Sequence, residues 1–360
     1  MTAESRKELG FTLLETLVAT AVGIVIVGTG AMLFQSANQM SQTSVTRSDM
    51  QQSARSAIAI ITRDLTQASI GIPQAGINVP SGAGSTAALY GCGPLQCYLK
   101  NGTYPNNLLA PVTPGDAQGA GGSDAVMVAY IDNSWPVKNQ DLTAVAQDGS
   151  SITVNTATFD LNGNPAPSPI GHAYDDPVFG SRVGDVMMVW NTNGYAVATV
   201  TGIAKNGVLN LNNGDPLNLN QSAAAAGNIP GLRNADTTYP KTSAARINVV
   251  TYFIQMQAGA DGVVGTADDI PVLMRQVNAQ NAIPVAENVQ SMAITYDIYD
   301  DSTSTYKTAL DGAAVLNSSE IRKVNITLTL VPPAFSNSKE NYTLSTSVSP
   351  RDLSFKNRYE

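Results

Sequence analysis

An apolar run near the start of the chain constrains its fold more than any other feature. From Phe11 to Phe34 the sequence holds 24 residues, and Glu15 carries their only charge. At 1.5 Å per residue a helix of this length would extend about 36 Å, enough to cross the hydrocarbon core of a bilayer. An acid at that depth costs a few kcal/mol, so an intramembrane carboxylate is by default functional and has a partner.

The residues around this run predict its orientation and distinguish it from a secretory signal. Arg6 and Lys7 precede the run and the next basic residue is Arg47, so we expect the N-terminus in the cytoplasm and the rest outside. A secretory signal has its small cleavage residue after the apolar core, whereas Gly10 precedes it here. Cleavage after Gly10 would remove the charged leader and keep the helix. The alternative is an ordinary signal anchor in which Glu15 is incidental.

The stretch "GFTLLE", residues 10–15, resembles the class III signal of type IV prepilins. The resemblance implies that prepilin peptidase cuts after Gly10 and methylates the new amine of Phe11. It also implies that Glu15, by then the fifth residue, docks neighbouring subunits. A cation and a carboxylate that are both poorly solvated stabilise each other. Because the new amine lies about one helical turn from Glu15, a pair within one chain stays open beside the pair between subunits that the resemblance implies.

The helix is predicted to continue beyond the membrane. No proline interrupts the polar segment that follows the apolar run, and apolar residues recur there at spacings of three and four. This stripe consists of Ala54, Ile58, Ile61, Leu65 and Ala68. Arg55, Arg63 and Asp64 are assigned to other faces of the helix. Gly71 and Pro73 are expected to end it, after about 60 residues in total.

After Pro73 the sequence is typical of a β-rich head. The turn "NG" inside "DVMMVWNTNGYAVATV" predicts a hairpin, and no helical segments lie between the strands, so an antiparallel arrangement is expected. Further strands are predicted at "DAVMVAYI", "SITVNTATF", "GVLNLN", "RINVVTYFIQMQ", "IPVLMRQV", "NVQSMAITYDIYD", "EIRKVNITLTLV" and "YTLSTSVSPRDL". The predicted class is α+β, a long N-terminal helix packed on an antiparallel head. The predicted parts are a cleaved leader (1–10), a membrane and assembly half of the helix (11–34), an amphipathic half (35–72) and the head (73–360).

The order of these segments resembles the large minor pilins of the PilW type. The resemblance rests on "RDLTQASIGIP", "VGDVMMVW", "ENVQSMAITY" and the closing "IRKVNITLTL" and "STSVSPRDL". It is close over the N-terminal third and loose elsewhere, and segments 74–123 and 203–245 are interpreted as inserted loops. It implies a minor pilin that takes part in pilus assembly or initiation at or near the filament tip. A type II secretion pseudopilin has the same kind of N-terminus and is the close alternative.

The resemblance also implies partners and a location. The partners would be prepilin peptidase, other minor pilins, the major pilin, the inner-membrane assembly platform and a tip adhesin. The chain would be a single-pass inner-membrane protein before assembly and would reach the pilus or cell surface afterwards. Nucleic acid is not an expected partner, because the net charge is -8 and only 13% of residues are charged. An enzyme is not expected either, since the single histidine, His172, has no nucleophile motif, H-E-x-x-H or Gly-rich phosphate loop beside it.

Two cysteines and several acids are candidate sites in the head. Cys92 and Cys97, in "CGPLQC", are expected to form a disulfide outside the cytoplasm, because a metal pair would need further Cys or His residues nearby. Asp261, Asp268 and Asp269 lie in the Gly-rich stretch "GADGVVGTADDIPVL". They offer oxygen ligands for Ca²⁺, and a head that binds Ca²⁺ and a surface ligand would be an adhesive module.

The favoured interpretation of these three acids is an ordinary hairpin loop, since the EF-hand pattern is absent and Asp and Gly suit turns. Two pairs of adjacent acids, Asp175–Asp176 and Asp300–Asp301, are interpreted as solvated turns.

Overall fold

A computed structural model describes residues 12–80, 108–135, 140–155, 158–159, 165–166, 178–334, 336 and 339–353. The described chain consists of one long N-terminal helix and several antiparallel sheets. The α+β prediction is therefore confirmed.

The helix α1, Leu13–Gln67, has 55 residues and is therefore about 80 Å long. It ends at Gln67, five residues before the predicted boundary at 72. The reason is that Ser69 adopts a left-handed conformation, with φ of 72°, and its N–H donates to the carbonyl of Ala129 at 3.1 Å. The N–H of Ile131 in turn donates to the carbonyl of Ile70 at 2.9 Å. These main-chain groups bond to a strand instead of continuing the helix.

The strands, in chain order, are β1 Ile77–Asn78, β2 Leu108–Leu109, β3 Val112–Gly115, β4 Ala125–Ile131, β5 Gln140–Asp141, β6 Ala144–Val145, β7 Ser151–Thr153, β8 Thr158–Phe159, β9 Pro165–Ala166, β10 Val186–Asn191, β11 Gly194–Thr199, β12 Gly202–Ile203, β13 Val208–Asn210, β14 Ser243–Gln257, β15 Ile270–Val277, β16 Ile283–Glu287, β17 Val289–Asp300, β18 Thr305–Asp311, β19 Ile321–Leu330 and β20 Tyr342–Val348. Short 3₁₀ helices lie at Ala120–Gly122, Ile229–Leu232, Gly312–Ala314 and Ser318–Glu320. The predicted hairpin is β10 and β11, while the predicted strand "SITVNTATF" is divided between β7 and β8.

The strands form one large sheet, two sheets of four strands and two short pairs. The large sheet has eight strands in the order β11-β10-β14-β15-β16, with β4 and β5 also pairing with β14 and β3 pairing with β4. The second sheet has the order β18-β17-β19-β20, and the third has the order β12-β13-β7-β6. Every pair of named strands is antiparallel, as expected from a sequence with no helical segments between its strands.

The C-terminal part of α1 packs between the large sheet and the second sheet. The predicted stripe is buried there, together with Met50 and Ala57. Apolar residues of β4, β14, β17 and β19 complete this core, because alternate residues of each strand point toward the helix. Strand β4 is buried on both faces: Val126 and Val128 face the helix, while Met127 and Ala129 join a second core. A third core surrounds Trp135 and Ile152.

Candidate functional site: the projecting helix and its junction with the head

The N-terminal part of α1 projects away from the head. From Thr12 to Gln42 every residue is exposed except Gly23, and Met50 is the first buried residue of the helix. Thirty residues at 1.5 Å each give a projecting rod of about 45 Å. This helix is long and apolar enough to cross a membrane, and the most apolar stretch of it is not buried within the protein. The exposed apolar surface therefore requires lipid or other protein around it.

Glu15 lies in a capping box at the start of the helix. Thr12 is the N-cap, and its hydroxyl accepts a hydrogen bond from the Glu15 N–H at 3.3 Å. In return, Oε2 of Glu15 accepts from the Thr12 N–H at 2.9 Å and from the Thr12 hydroxyl at 3.0 Å. The reciprocal bonds satisfy two of the main-chain donors that every helix start leaves unpaired. No basic side chain within the described residues forms an ion pair with Glu15.

A buried polar cluster joins the helix to the head. Asp64 is fully buried, and its Oδ2 accepts from the Tyr252 hydroxyl at 2.6 Å and from Nε and Nη2 of Arg275, each at 2.8 Å. Its Oδ1 accepts from the Tyr130 hydroxyl at 3.2 Å and lies 3.5 Å from Nε of Arg63. Apart from Arg63, which lies on α1 itself, the donors come from β4, β14 and β15, so one helical carboxylate connects to three neighbouring strands of the large sheet. We call these residues the Asp64 cluster.

The electrostatics of the Asp64 cluster keep both of its tyrosines protonated. Burial raises the pKa of Tyr252 and that of Tyr130 well above the ordinary range, and the nearby negative charge of Asp64 raises both further. Burial alone would lower the pKa of Arg275, but the attraction of Asp64 outweighs it and the pKa is raised. Each phenol is therefore held as a hydrogen-bond donor to the carboxylate.

The structure corrects the assignment of Asp64 to a face away from the apolar stripe. Asp64 lies three residues after Ile61 and four before Ala68, so helical spacing places it on the buried face. A charged side chain is rarely fully buried unless it has partners, and Asp64 receives its partners from the head. The spacing itself was the signal that could have located this residue. Its partners lie 66, 188 and 211 residues away in sequence, beyond any local pattern.

The loop 259–269, which we call the acidic loop, uses its carboxylates to hold its own backbone. Oδ1 of Asp261 accepts from the Val263 N–H at 2.8 Å, and Oδ2 of Asp269 accepts from the Gly265 N–H at 2.6 Å. Asp268 accepts from the Asp261 N–H at 3.2 Å. Among the described residues, no group of three or more His, Cys, Asp or Glu side chains is arranged to hold a metal ion. The geometry supports the turn interpretation and provides no support for a calcium site.

The remaining candidate residues fall into two groups. Oδ1 of Asp300 accepts from the Ser302 N–H at 2.9 Å, and Oδ2 lies 2.6 Å from Nζ of Lys307, so this acid caps the turn between β17 and β18. The others lie outside the described residues: Gly10, Phe11, Cys92, Cys97, His172 and Asp175–Asp176.

Comparison of the chain with protein-family models, curated proteins and solved structures finds no match.

Proposed function

We propose that this chain is a minor pilin of a type IV filament, cleaved between Gly10 and Phe11 and incorporated through α1 at or near the filament tip. The observation that carries the proposal is the division of one unbroken helix into two environments. Its first thirty residues are exposed and largely apolar, whereas residues from Met50 onward form part of the core of the head. A subunit that moves from a membrane into a filament needs such a helix, because lipid and neighbouring helices both cover an apolar rod.

The size of the head supports a position near the tip. The described head contains three sheets of four or more strands, and such bulk is awkward to repeat along a tightly packed shaft. A tip or initiating subunit occurs once or a few times and avoids that restriction.

The cleavage site is tested by replacing Gly10 with Glu. We expect the variant to remain full-length and membrane-bound, because the charged side chain occupies the position at which the peptidase requires a small residue. Glu8→Gln is the matched control, since it alters the leader while leaving the Gly10–Phe11 junction intact. Mass spectrometry of the membrane fraction decides: a Gly10→Glu chain that still begins at Phe11 would refute the assignment.

The docking role of Glu15 is tested by separating its charge from its capping bonds. Glu15→Gln removes the charge but retains an amide that can still accept from the Thr12 N–H, as capping boxes with Gln do. Glu15→Ala removes both. If the charge docks the subunit, both variants are cleaved normally and both are lost from sheared filaments, while Thr16→Ala is recovered like the wild type. Recovery of Glu15→Gln at the wild-type level would show that only the helix cap matters.

A further inference from the structure

The large sheet shields its three longer edges, β11, β16 and β3, from pairing with another chain. At β11, the Val197 N–H donates to the carbonyl of Gly227 at 2.9 Å, and the Thr199 N–H donates to Oδ1 of Asn220 at 2.8 Å. Strand β16 contains a proline at 284 and a register shift against β15. Strand β3 contains a proline at 114, and its Val112 carbonyl accepts from the hydroxyl of Ser318. Prolines, irregular registers and covering segments are the usual protections of an edge strand.

The second sheet protects only one of its two edges. At β18 the pairing with β17 is shifted, Ala309 has a φ of 53°, and the Lys307–Asp300 ion pair adds charge. Strand β20, at the opposite edge, has the sequence "YTLSTSV" with no charge, no proline and no register shift against β19. In the described part of the chain no hydrogen bond reaches the main chain of β20 on the side away from β19. The other edge strands of the described sheets, β5, β6 and β12 among them, have only two residues each.

The open edge of β20 runs beside the helix and in the same direction. Before the strand, Ser336 contacts Thr46 of the helix at 3.2 Å, with the Arg47–Glu340 ion pair nearby at 3.5 Å. After the strand, the Arg351 N–H donates to the carbonyl of Thr66 at 3.4 Å. The residue numbers of α1 and of β20 therefore increase in the same direction, so the helix and the strand run parallel to each other.

The two faces of β20 differ in chemistry, and one is incompletely covered. Tyr342 and Leu344 pack against the core beneath the helix but stay partly exposed. The other face is a ladder of hydroxyl side chains, in which Oγ of Ser345 lies 2.8 Å from Oγ1 of Thr327. A strand added beside β20 would cover the apolar side chains and extend the ladder, so it should alternate apolar residues with Ser or Thr.

We propose that β20 is a docking edge for an extended, uncharged segment of a neighbouring subunit, added antiparallel to β20 alongside α1. Main-chain hydrogen bonds would provide affinity and the alternation of side chains would provide specificity. The identity of the occupant as a filament neighbour rests on the proposed function, whereas the open edge does not.

A second copy of this chain does not fit the edge. Two copies inserted in one membrane with the same orientation have their β20 strands parallel, so they cannot form the antiparallel pair proposed for this edge. Pairing of β20 with a different edge of another copy is blocked, because the other long edges of the described sheets are shielded. The occupant is therefore a different polypeptide.

The edge is tested with a labelled, uncharged peptide of residues 324–330, "VNITLTL", added to the full chain in detergent micelles. This sequence is the part of β19 that pairs antiparallel with β20, and its alternation suits the open side equally. Fluorescence anisotropy should show saturable binding. Two further peptides carry N-methyl groups at positions 324, 326 and 328 or at positions 325, 327 and 329. Because alternate N–H groups of an added strand point toward and away from its partner, one methylated peptide should bind and the other should lose at least about tenfold in affinity.

Lysine substitution locates the binding to β20. Thr343→Lys with Ser345→Lys places two charges on the open edge and should weaken binding at least about tenfold, as edge lysines do. Thr305→Lys with Thr308→Lys is the matched control, because it adds the same charge to the exposed positions of the shielded edge β18 and should leave binding unchanged. The proposal is overturned if the wild-type chain does not bind up to ~1 mM peptide. It is also overturned if both methylated peptides bind alike, or if the two lysine variants behave alike.

The outcome is separable from the proposed function, since peptide binding to the purified chain requires no filament. If the chain binds the peptide but is not cleaved after Gly10, the docking edge is supported and the proposed pilin function is refuted. If the chain is cleaved and enters filaments but does not bind the peptide, the pilin function is supported and the docking edge is refuted.

Discussion

Removal of the Asp64 carboxylate is expected to destabilise the head strongly. In Asp64→Ala the guanidinium of Arg275, whose side chain is only 16% exposed, loses its counter-charge, and the hydroxyls of Tyr130 and Tyr252 lose their acceptor. Breaking a buried ion pair from one side costs about 3–5 kcal/mol, because the remaining charge stays desolvated. Domains of ordinary stability have only about 5–15 kcal/mol in total.

The free energy of unfolding is measured by urea titration of the full chain in detergent micelles, followed by the fluorescence of Trp135 and Trp190. The midpoint for Asp64→Ala should fall while the slope stays constant. Asp49→Ala, which removes an exposed acid from the same helix, should change the stability by less than about 0.5 kcal/mol. Arg275→Met and the variant that carries both Asp64→Ala and Arg275→Met complete a double-mutant cycle. We expect this cycle to give a coupling energy of about 2–3 kcal/mol between the two residues. A cost below about 1 kcal/mol for Asp64→Ala, or single costs that add within about 0.5 kcal/mol, would refute the reasoning.

Three further results are expected. Gly227→Ala should cost about 2–4 kcal/mol in unfolding titrations, because φ is 89° and the new Cβ would lie 2.1 Å from the carbonyl oxygen of Asn78, while Gly214→Ala, with φ of 87° but open space, should cost about 1–2. Burial would raise the pKa of Asp132, but hydrogen bonds to its side chain and the charge of Arg246 hold it below the ordinary value of 3.8. Its stabilisation is thus present above that value and lost as the pH falls through the lower native value, so the stability difference between wild type and Asp132→Asn should be constant from about pH 5 to 8 and shrink toward about pH 2. Millimolar Ca²⁺ should leave the Tm unchanged, since the acidic loop already uses its carboxylates as acceptors for its own N–H groups; a clear rise in Tm would restore the calcium interpretation.

The parts of the fold that follow from local periodicity were predictable from the sequence. The stripe from Ala54 to Ala68 repeats at the helical period and is buried as expected. The "NG" dipeptide placed the hairpin between β10 and β11 because it suits the tight turn that such strands need. The helix end was less accurate, since the carbonyl of Ala129, a tertiary partner, captures the Ser69 N–H.

Features that depend on distant residues could not be read from the sequence. The Asp64 cluster needs Tyr252 and Arg275 to face the helix from adjacent strands, and that depends on the β14–β15 register. The difference between the β18 and β20 edges likewise appears only once the strand order is known. Composition showed the uncharged character of β20 but not that the strand lies at an edge.

Glu15 and Asp64 are carboxylates near the two ends of one helix, and each needs partners that replace its hydration. Comparing them supports the proposed role of Glu15. Asp64 is removed from water and receives a guanidinium and two phenolic hydroxyls from the head. Glu15, in the segment proposed to lie in lipid, receives hydrogen bonds only from Thr12 within the described residues, and none of its described contacts is a cation. A carboxylate in hydrocarbon needs more than one hydroxyl and one amide to offset its lost hydration. The amine that the proposed cleavage after Gly10 would release, on this chain or on a neighbour, has the charge that would offset this loss.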